Sequence, residues 1–600
     1  MAKELLTRKE VNEAYTWDLT GIYRNGEEYQ SAVEEVQRLT DKIAAGFKGK
    51  LSTAEAINQC LDNLRLLYQK LFLCADYSYL ALSVDQTDEE SQKREQELGN
   101  IFADIQSRLS FIRSEIIQAD EEEINRAIES SKENKGYLEE IMRQKPHMLH
   151  PEAERTLSAL SNILNLPSQV YDMAKLADMD FGNFVVEGKE YPLSFVLFEE
   201  KWVYEPDRKL RHAAFEAFSK KLREYQYTIA TAYQSQVQKE KILASLRGYD
   251  SVFDSLLFEQ KVDREIYDRQ IDLIMDHLAP HMRKYAGFLK EVHGLEEMTF
   301  ADLKLDPDPD FEEEISIEEG EKYIERALSV LGDDYLNIIK RAFKERWIDF
   351  VQNKGKSTGA FCMTPYGSHP FILLSWTGSM RDVFTLAHEL GHAGHFYLTN
   401  ENQNIFDTEP SLYFVEAPST MNEMLLANYL IEKIEEPQMK RRVLSLIIGG
   451  TYYHNFVTHL LEAHFQREVY KIIDRGGSLQ ASLLHQLKRE TLEKFWGDAV
   501  KINEGAELTW MRQPHYYMGL YPYTYSAGLT IATEVSRRIL REGQKAIADW
   551  LEVLKAGGTR TPVELAMMAG VDIRTDQPLL NTIEYIGNMI EEIIKLSDTV

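Results

Sequence analysis

Glycine and proline are both scarce in this chain, with 32 and 17 residues among 600. A protein built of many strands needs these residues to break the chain between strands, so the shortage disfavours an all-β fold. Hydrophobic residues make up 44% of the chain and charged residues 28%, which is close to ordinary globular usage. The composition therefore predicts a mainly α-helical protein that can bury a large core of its own.

Cysteine and long uncharged segments are also scarce. Cys60, Cys74 and Cys362 are too few and too scattered for a disulfide framework, which favours a reducing compartment. Residues 1–20 carry charges with no apolar core between them, unlike a secretory signal. No uncharged run approaches the ~20 residues that cross a bilayer. We therefore expect a cytoplasmic protein with no membrane partner.

Positive charge is in deficit. Lysine and arginine number 68 against 97 aspartates and glutamates, which gives a formal net charge of -29. Such a surface repels phosphate backbones, and no dense stripe of lysine and arginine overcomes the repulsion locally. The charge balance excludes nucleic acid as an expected partner.

Helical periodicity dominates the chain, with apolar residues returning every three or four positions over stretches such as 29–47 and 54–84. Residues 184–192 instead predict a small hairpin that turns at Glu187 and Gly188. Two short apolar runs, at 359–363 and 370–376, have the length and the flanking residues of strands. They directly precede the segment that carries the strongest chemical pattern.

That segment contains the pattern HELGH at residues 388–392. A step of four residues turns an α-helix through one turn plus ~40°, so His388 and His392 project from one face, one turn apart. Glu389 lies ~100° round the axis, too divergent to be a third ligand but close enough to act as a general base on a water at the metal. The flanking apolar residues imply a buried helix, where these groups are costly without a partner such as a metal ion.

A third ligand has to come from outside this helix. A catalytic zinc site uses three protein ligands and keeps one position open. The extended pattern HExxHxxGxxH is excluded, because Leu398 and His395 stand where it requires histidine and glycine. Glu416 and Glu423 follow in another helical run, seven residues apart and so on one face. One can bind the metal while the other orients a histidine ligand, and the spacing leaves open which does which.

Residues 515–525 hold five tyrosines, whereas the whole chain has 31. Gly519 and Pro522 interrupt a regular helix, which predicts a loop that presents hydroxyl groups to a cleft. Attack of water on an amide places negative charge on the carbonyl oxygen, and each O–H or N–H donor aimed at it stabilises that charge by roughly 3 kcal/mol. We assign this role to His515, Tyr521 and Tyr525.

Three further histidines, His454, His459 and His464, resemble an inverted zinc motif. That motif needs a histidine directly after its glutamate, and five-residue steps on an α-helix diverge by ~140°. We interpret these histidines as structural.

Taken together, these segments resemble the oligoendopeptidase F type of the thimet-oligopeptidase family of zinc peptidases. The resemblance is carried by HELGHAGH at 388–395, FVEAPS at 414–419 and the tyrosine-rich segment, and weaker similarities extend it over essentially the whole chain. In that family the two motif histidines and the glutamate of FVEAP bind zinc. The resemblance therefore implies one zinc ion per chain, bound by His388, His392 and Glu416, which leaves Glu423 to orient a ligand.

The resemblance also implies a fold and a function. The expected fold is mainly α, a two-lobed helical body that encloses a deep substrate channel, with a small β element next to the zinc-binding helix. We predict an N-terminal helical region at 1–115, a helical lobe ending in the hairpin at 116–200 and a metallopeptidase catalytic domain at 201–600. The expected activity is hydrolysis of internal bonds in short unstructured peptides by a monomer or small homo-oligomer.

Two alternatives stay open at the level of sequence. A dipeptidyl carboxypeptidase of similar fold would need a cationic group near the cleft to bind the C-terminus of its substrate. A non-catalytic peptide-binding scaffold with a structural metal would usually close its site with four ligands rich in cysteine, and Cys362 is the sole nearby candidate.

Overall fold

The computed structural model describes residues 5–308 and 314–597. Helices dominate these residues, and they are numbered here in chain order. The N-terminal helices α1 to α6 are Gly26–Phe47, Ala54–Ser83, Glu89–Leu109, Phe111–Gln118, Glu121–Ser130 and Lys132–Gln144. The next helices, α7 to α17, are Pro151–Ala159, Ser161–Leu164, Leu166–Asp172, Phe195–Glu200, Arg208–Glu224, Gln226–Leu246, Val252–Gln260, Arg264–His277, Ala279–Val292, Ile317–Leu328 and Asp333–Lys344. The C-terminal helices α18 to α26 are Met380–Asn402, Ala417–Lys433, Pro437–Leu446, His459–Asp474, Ala481–Trp496, Pro522–Glu542, Gln544–Ala556, Pro562–Met568 and Gln577–Ser597.

Two large hydrophobic cores hold these helices together. One is formed by α1 to α6 and contains buried aliphatic residues such as Ile57, Leu67 and Ile116. The other extends from Tyr171 to Ile593 and surrounds α18, α19 and α23. Separate cores do not by themselves divide a chain into domains, so the division at 115 and 200 stays a prediction.

A two-stranded hairpin joins the helices in the middle of the chain. Strands β1 (Asn183–Val186) and β2 (Lys189–Pro192) pair antiparallel, with Val186 opposite Lys189. Both turn residues have positive φ, 53° at Glu187 and 79° at Gly188, as a tight two-residue hairpin turn requires. The predicted hairpin and its turn are confirmed.

A three-stranded sheet precedes α18. Its strands are β3 (Ile348–Asp349), β4 (Phe361–Met363) and β5 (Phe371–Leu373), in the order β3-β5-β4. The strand β5 pairs parallel to β3 and antiparallel to β4. Both predicted strands are present but shorter than the apolar runs suggested, and β3 was not predicted. The expected fold class, mainly α with a small β element next to the metal-binding helix, is confirmed.

The N-terminal segment before α1 packs on this sheet. The Trp17 and Phe371 rings meet edge to face at 6.0 Å between centroids. Arg8 forms an ion pair with the buried Asp349 at 2.5 Å, and the same carboxylate accepts a hydrogen bond from Lys356 at 2.6 Å. The ion pair between Arg8 and Asp349 therefore holds the N-terminal segment against the sheet that precedes α18.

No helix within residues 5–308 or 314–597 combines the length and the apolarity that a membrane crossing requires.

Candidate metal centre and active site

The helix α18 presents two histidines on one face. It begins after Ser379, whose hydroxyl accepts a hydrogen bond from the Asp382 N–H at 3.3 Å, while the Asp382 carboxylate accepts one from the Ser379 N–H at 3.0 Å. This capping box satisfies two N–H groups that a helix start leaves free. One turn apart, the rings of His388 and His392 lie 5.0 Å apart between centroids, as the four-residue step predicts.

A glycine allows the next helix to approach α18 at backbone distance. A Cβ at Gly391 would lie 2.5 Å from both the carbonyl oxygen of Pro418 and the Cα of Ser419. Such contacts are closer than side chains allow, so any residue larger than glycine would force the first turn of α19 away. Glycine inside a helix costs about 1 kcal/mol relative to alanine, and here it permits contact between two backbones.

Glu416 immediately precedes α19, and its carboxylate is fixed from two sides. The Ser419 hydroxyl donates to Glu416 Oε2 at 2.9 Å. On the other side α23 lies close, because a Cβ at Gly528 would be 3.0 Å from Ala417 N and from Glu416 Cβ. Three helices therefore meet around this residue, and two glycines make their close approach possible.

The side-chain atoms of His388, His392 and Glu416 converge. Oε2 of Glu416 lies 3.4 Å from Nε2 of His388 and 3.3 Å from Nε2 of His392. Zinc binds nitrogen and carboxylate oxygen at 2.0–2.2 Å in a tetrahedron, which places neighbouring ligand atoms ~3.4 Å apart. The donor set and its spacing thus fit zinc.

Glu423 fixes the orientation of one histidine. Its Oε1 accepts a hydrogen bond from Nδ1 of His388 at 2.7 Å, and its Oε2 accepts one from the Thr451 hydroxyl at 2.5 Å. With its Nδ1 proton held by Glu423, the ring of His388 turns its other nitrogen, Nε2, toward Glu416, where that nitrogen could offer a lone pair to a metal ion. Carboxylate–histidine pairs of this kind are usual behind metal ligands.

The charges of this group favour a cation. Burial by itself would lower the pKa of His388, but hydrogen bonds to Glu416 and Glu423 raise that pKa well above its ordinary value. Burial would raise the pKa of Glu416, yet the nearby His392 and His388 keep that pKa well below its ordinary value. The largely buried carboxylates of Glu416 and Glu423 therefore stabilise positive charge on or between the two imidazoles, whether that charge is a proton or a metal ion.

Glu389 differs from Glu416 in its electrostatic surroundings. Its side chain is only 6% exposed, and burial raises the pKa of its carboxyl group against the opposing effect of His388 and His392. The thiol of Cys362 on β4 is near enough for Glu389 to contribute to the raised pKa of that thiol. The side chain of Glu389 thus extends from α18 toward Cys362 on the sheet, in surroundings that favour its protonated form more than water does.

The predicted oxyanion residues form an aromatic cluster. The ring of His515 stacks on Tyr521 at 5.2 Å between centroids, and Nε2 of His515 lies 3.4 Å from the Tyr525 hydroxyl. Burial raises the pKa of Tyr521, and the charge of Glu416 raises it further, which locates this ring near Glu416, one of the proposed metal ligands. Burial lowers the pKa of His515 to about 4. At neutral pH these groups are uncharged hydrogen-bond donors.

Sequence reasoning missed two histidines that border this cluster. The ring of His459 stacks on Tyr525 at 4.0 Å, and its Nε2 lies 3.1 Å from Nε2 of His454. The segment Ile447–Thr458 is a π-helix, in which hydrogen bonds join residues five apart, so a five-residue step returns to the same face. Within this segment the sequence has a Gly-Gly pair at 449–450, and glycine weakens a regular α-helix. His464, in contrast, bonds to Thr491 away from the cluster.

All eight predicted site residues therefore lie in one region, between the sheet and helices α18, α19 and α23. A cavity of about 480 Å³ opens beside them and is lined by His454, His459, His515 and Tyr525 among others. Ser419, Thr451 and the two bordering histidines add to the group that the sequence predicted.

Comparison with protein families assigns this architecture to a known group. The family model described as "Peptidase family M3" matches residues 202–585, and a second model, described as "Oligopeptidase F", matches residues 115–181. The first match alone covers more than half of the chain and includes every predicted site residue.

Individual proteins match over nearly the full length. The chain is 28% identical to Oligopeptidase PepF of Bacillus subtilis over 603 residues, which cover 99% of this chain and 89% of that protein. It is also 28% identical to an oligoendopeptidase F homolog of Borreliella burgdorferi over 599 residues, covering 99% of this chain and all of the relative. Among solved structures, oligoendopeptidase-F from Enterococcus faecium superposes with a TM-score of 0.75 at 21% identity, over 96% of this chain and 99% of that one.

Proposed function

The chain belongs to peptidase family M3, the zinc-dependent oligopeptidases, and we propose that it hydrolyses internal bonds of short peptides at the centre formed by His388, His392 and Glu416. One observation carries this assignment. The three ligand atoms lie within 4.8 Å of one another on two helices that meet at Gly391. Two imidazole nitrogens and one carboxylate oxygen at this spacing suit a single bound cation.

The proposed ligand set holds one zinc ion per chain. Zinc bound there supplies Lewis acidity, which polarises the peptide carbonyl and makes a water molecule a better nucleophile. Glu423 and Thr451 keep the proton of His388 on Nδ1, so that Nε2 offers its lone pair. Ser419 holds the Glu416 carboxylate in place from its own helix.

Glu389 acts as the general base. Its carboxylate takes a proton from the attacking water and delivers it to the amine that leaves. A raised pKa suits both steps, because a group with a pKa closer to the working pH accepts and releases a proton with similar ease.

The tyrosines and His515 stabilise the oxyanion. Their raised or lowered pKa values keep Tyr521, Tyr525 and His515 uncharged at neutral pH, so each can donate a hydrogen bond without a competing charge. These rings pack against one another, which fixes the donors before the substrate binds.

Short unstructured peptides are the substrates that fit this arrangement. The cavity of about 480 Å³ has room for part of a peptide chain but not for a folded domain. Three ligands rather than four converge among the residues that the structure describes, which disfavours the scaffold with a closed structural metal site. The cytoplasmic location, the absence of nucleic-acid partners and the oligomeric state, a monomer or small homo-oligomer, stay predictions.

The test is a single substitution of the proposed base. Glu389→Gln should retain about one zinc ion per chain by elemental analysis, while hydrolysis of a quenched fluorescent oligopeptide falls by a factor of about 10² to 10⁴. Glu401→Gln is the matched control, because Glu401 lies exposed near the end of the same helix. It should change neither zinc content nor turnover.

Retained turnover in Glu389→Gln would refute the base assignment. Retained zinc after joint replacement of His388 and His392 by alanine would refute the ligand set. Wild-type protein that binds zinc but cleaves no peptide would leave the scaffold as the better interpretation.

A further inference from the structure

The cavity beside His515 and Tyr525 contains more positive than negative side chains. Five cationic and three acidic residues line it, in a protein whose overall charge is strongly negative. The cationic residues are Lys175, Arg211, Lys304, Lys488 and Arg512, and the acidic ones are Glu199, Glu200 and Glu462. A local excess of cations next to a peptide-binding site attracts anionic groups of the ligand.

Three of the five cations already have partners. Arg211 forms a buried ion pair with Asp302 at 2.5 Å. Arg512 pairs with Glu199 at 2.6 Å, and its own carbonyl oxygen accepts a hydrogen bond from Lys175 at 2.9 Å. These residues hold the cavity wall together and leave little capacity for a ligand.

Lys488 is balanced by a nearby acid. Its side chain is buried, and the charge of Glu462 opposes the lowering of the Lys488 pKa that burial causes. Glu462 in turn accepts a hydrogen bond from Nδ1 of His459 at 2.9 Å. Positive and negative charge are therefore matched at this end of the cavity.

The charge of Lys304 is not balanced by a neighbouring acid. Its ammonium group lies 3.8 Å from the centre of the Tyr453 ring, and among residues 5–308 and 314–597 no carboxylate or other acceptor lies within hydrogen-bonding distance of Nζ. Burial lowers its pKa to about 7, and the neighbouring Arg381 and Arg512 lower it further rather than offsetting the effect. An uncompensated cation in a partly desolvated cavity is costly, and a bound anion would recover that cost.

The position of Lys304 relates it to the reaction centre. Tyr453, on which it rests, is followed by His454, whose ring lies 5.6 Å from that of Tyr525. Burial lowers the pKa of His454 and of His459, and the charge of Lys304 contributes to the lowering of both, so the ammonium group lies within electrostatic range of the two histidines that border the oxyanion cluster. An extended peptide rises ~3.3 Å per residue, so a group that reaches Lys304 belongs to a residue close to the scissile bond.

We propose that Lys304 binds a carboxylate of the substrate peptide, either its C-terminal carboxylate or the side chain of an aspartate or glutamate near the scissile bond. The inference rests on the proposed peptidase function and adds a specificity determinant to it. It also supplies the cationic group that a peptidase needs if it selects substrates by their free C-terminus. Bound peptides would then be positioned by charge at one end and by the metal centre at the other.

The first experiment uses the wild-type enzyme and three forms of one quenched peptide. The first form has a free C-terminal carboxylate, and the second has a C-terminal amide. The third is a set of amidated peptides that each carry one glutamate, placed in turn at each position near the scissile bond. Cleavage sites are verified by mass spectrometry, and KM and kcat are measured separately. The carboxylate or glutamate forms should have a KM roughly tenfold lower than the uncharged amide, as expected for one charge-assisted hydrogen bond.

The second experiment removes the cation. Lys304→Met should raise the KM of the carboxylate peptide by roughly tenfold and change the KM of the amide by less than about twofold, with kcat for both nearly unchanged. Lys304→Arg should keep most of the preference, because it keeps the charge. Lys209→Met is the matched control, since Lys209 is exposed and pairs with Glu187 on the surface, and it should alter neither peptide.

The possible outcomes differ from one another. A preference for the free C-terminus identifies the terminal carboxylate as the ligand, and a preference for glutamate in the amide series identifies a side chain. Equal KM values for all three forms in the wild type would overturn the proposal, and no variant is needed for that result. A preference that survives in Lys304→Met would overturn it as well.

Failure of the peptidase assignment gives a different result. If the wild type cleaves none of the peptides, the proposed function fails, and binding of labelled carboxylate and amide peptides, followed by fluorescence polarisation, still tests Lys304. If cleavage is normal but indifferent to charge, the proposed function stands and the role of Lys304 is refuted.

Discussion

Replacing Gly391 by alanine tests whether the contact between α18 and α19 positions Glu416, the proposed third metal ligand. The added Cβ would lie 2.5 Å from two backbone atoms of α19, where ordinary contacts are 3.4–4 Å. The first turn of α19 must therefore move by about 1 Å, because backbone atoms cannot rotate out of the way as a side chain can. Overpacking of this kind costs about 1–3 kcal/mol of unfolding free energy.

The same displacement acts on the metal site. Glu416 lies two residues before Pro418, and its carboxylate has only 3.3–3.4 Å to each histidine nitrogen. A shift of this size at a supporting contact is expected to lower zinc affinity by a factor of about 10 to 100. Competition with a chromophoric chelator measures the affinity, and thermal unfolding of the metal-free protein measures the stability.

The control is a glycine-to-alanine substitution at a helix position where the added Cβ contacts no other atom. Gly287 lies inside α15, and a Cβ added there would meet no atom within 4 Å, so Gly287→Ala should stabilise the protein by about 0.5–1 kcal/mol. If Gly391→Ala binds zinc as tightly as the wild type and unfolds at the same temperature, close packing of α18 and α19 does not set the ligand geometry.

Three further predictions concern single side chains. Glu423→Gln should weaken zinc binding about 10- to 100-fold in a chelator titration, because the carboxylate that orients His388 is lost, and unchanged affinity would contradict that role. Tyr521→Phe and Tyr525→Phe should each lower kcat, by about 10²-fold for the residue that contacts the oxyanion, with KM nearly constant; two full-activity variants would exclude both tyrosines. Burial lowers the pKa of His464 from 6.5 to about 4, so the unfolded chain binds the proton more tightly and stability should fall as pH drops from 6.5 toward 4. Denaturant unfolding at each pH measures this loss of stability, and the part caused by His464 should be absent in His464→Asn. The same dependence of unfolding free energy on pH in the variant and the wild type would refute this explanation.

The local parts of the site were predictable because they depend on one helix at a time. The four-residue step between His388 and His392 fixes their common face in any α-helix, and the seven-residue step between Glu416 and Glu423 does the same. Which of the two glutamates lies beside the histidines depends on how α19 packs against α18. That packing is a property of Gly391 and the backbone of α19, and the residue pattern alone left the choice open.

The unpredicted parts depend on irregular backbone or on distant segments. In an α-helix the five-residue spacing would turn His454 and His459 to different faces, so the two were not expected to act together. The segment Ile447–Thr458 is instead a π-helix, which has a different rotation per residue. Lys304 stands in a loop with no motif around it, and its relation to the cavity appears only when α21, α22 and α23 are assembled. The strand β3 has two residues, too few for any periodicity to reveal.

The different roles proposed for Glu389 and Glu416 follow from the neighbours of the two side chains. Both are surrounded by the same pair of histidines, yet the pKa of Glu416 is held low and that of Glu389 is raised. Oε2 of Glu416 lies 3.4 and 3.3 Å from the two imidazole nitrogens and accepts a hydrogen bond from Ser419, so its negative charge is stabilised, as the proposed anionic ligand requires. Glu389 feels the same imidazoles only at longer range, so desolvation dominates and its carboxylate gains from taking up a proton. Surroundings that push the pKa values of two carboxylates apart suit them to different tasks, which supports the proposal that Glu416 binds the metal and Glu389 acts as the base.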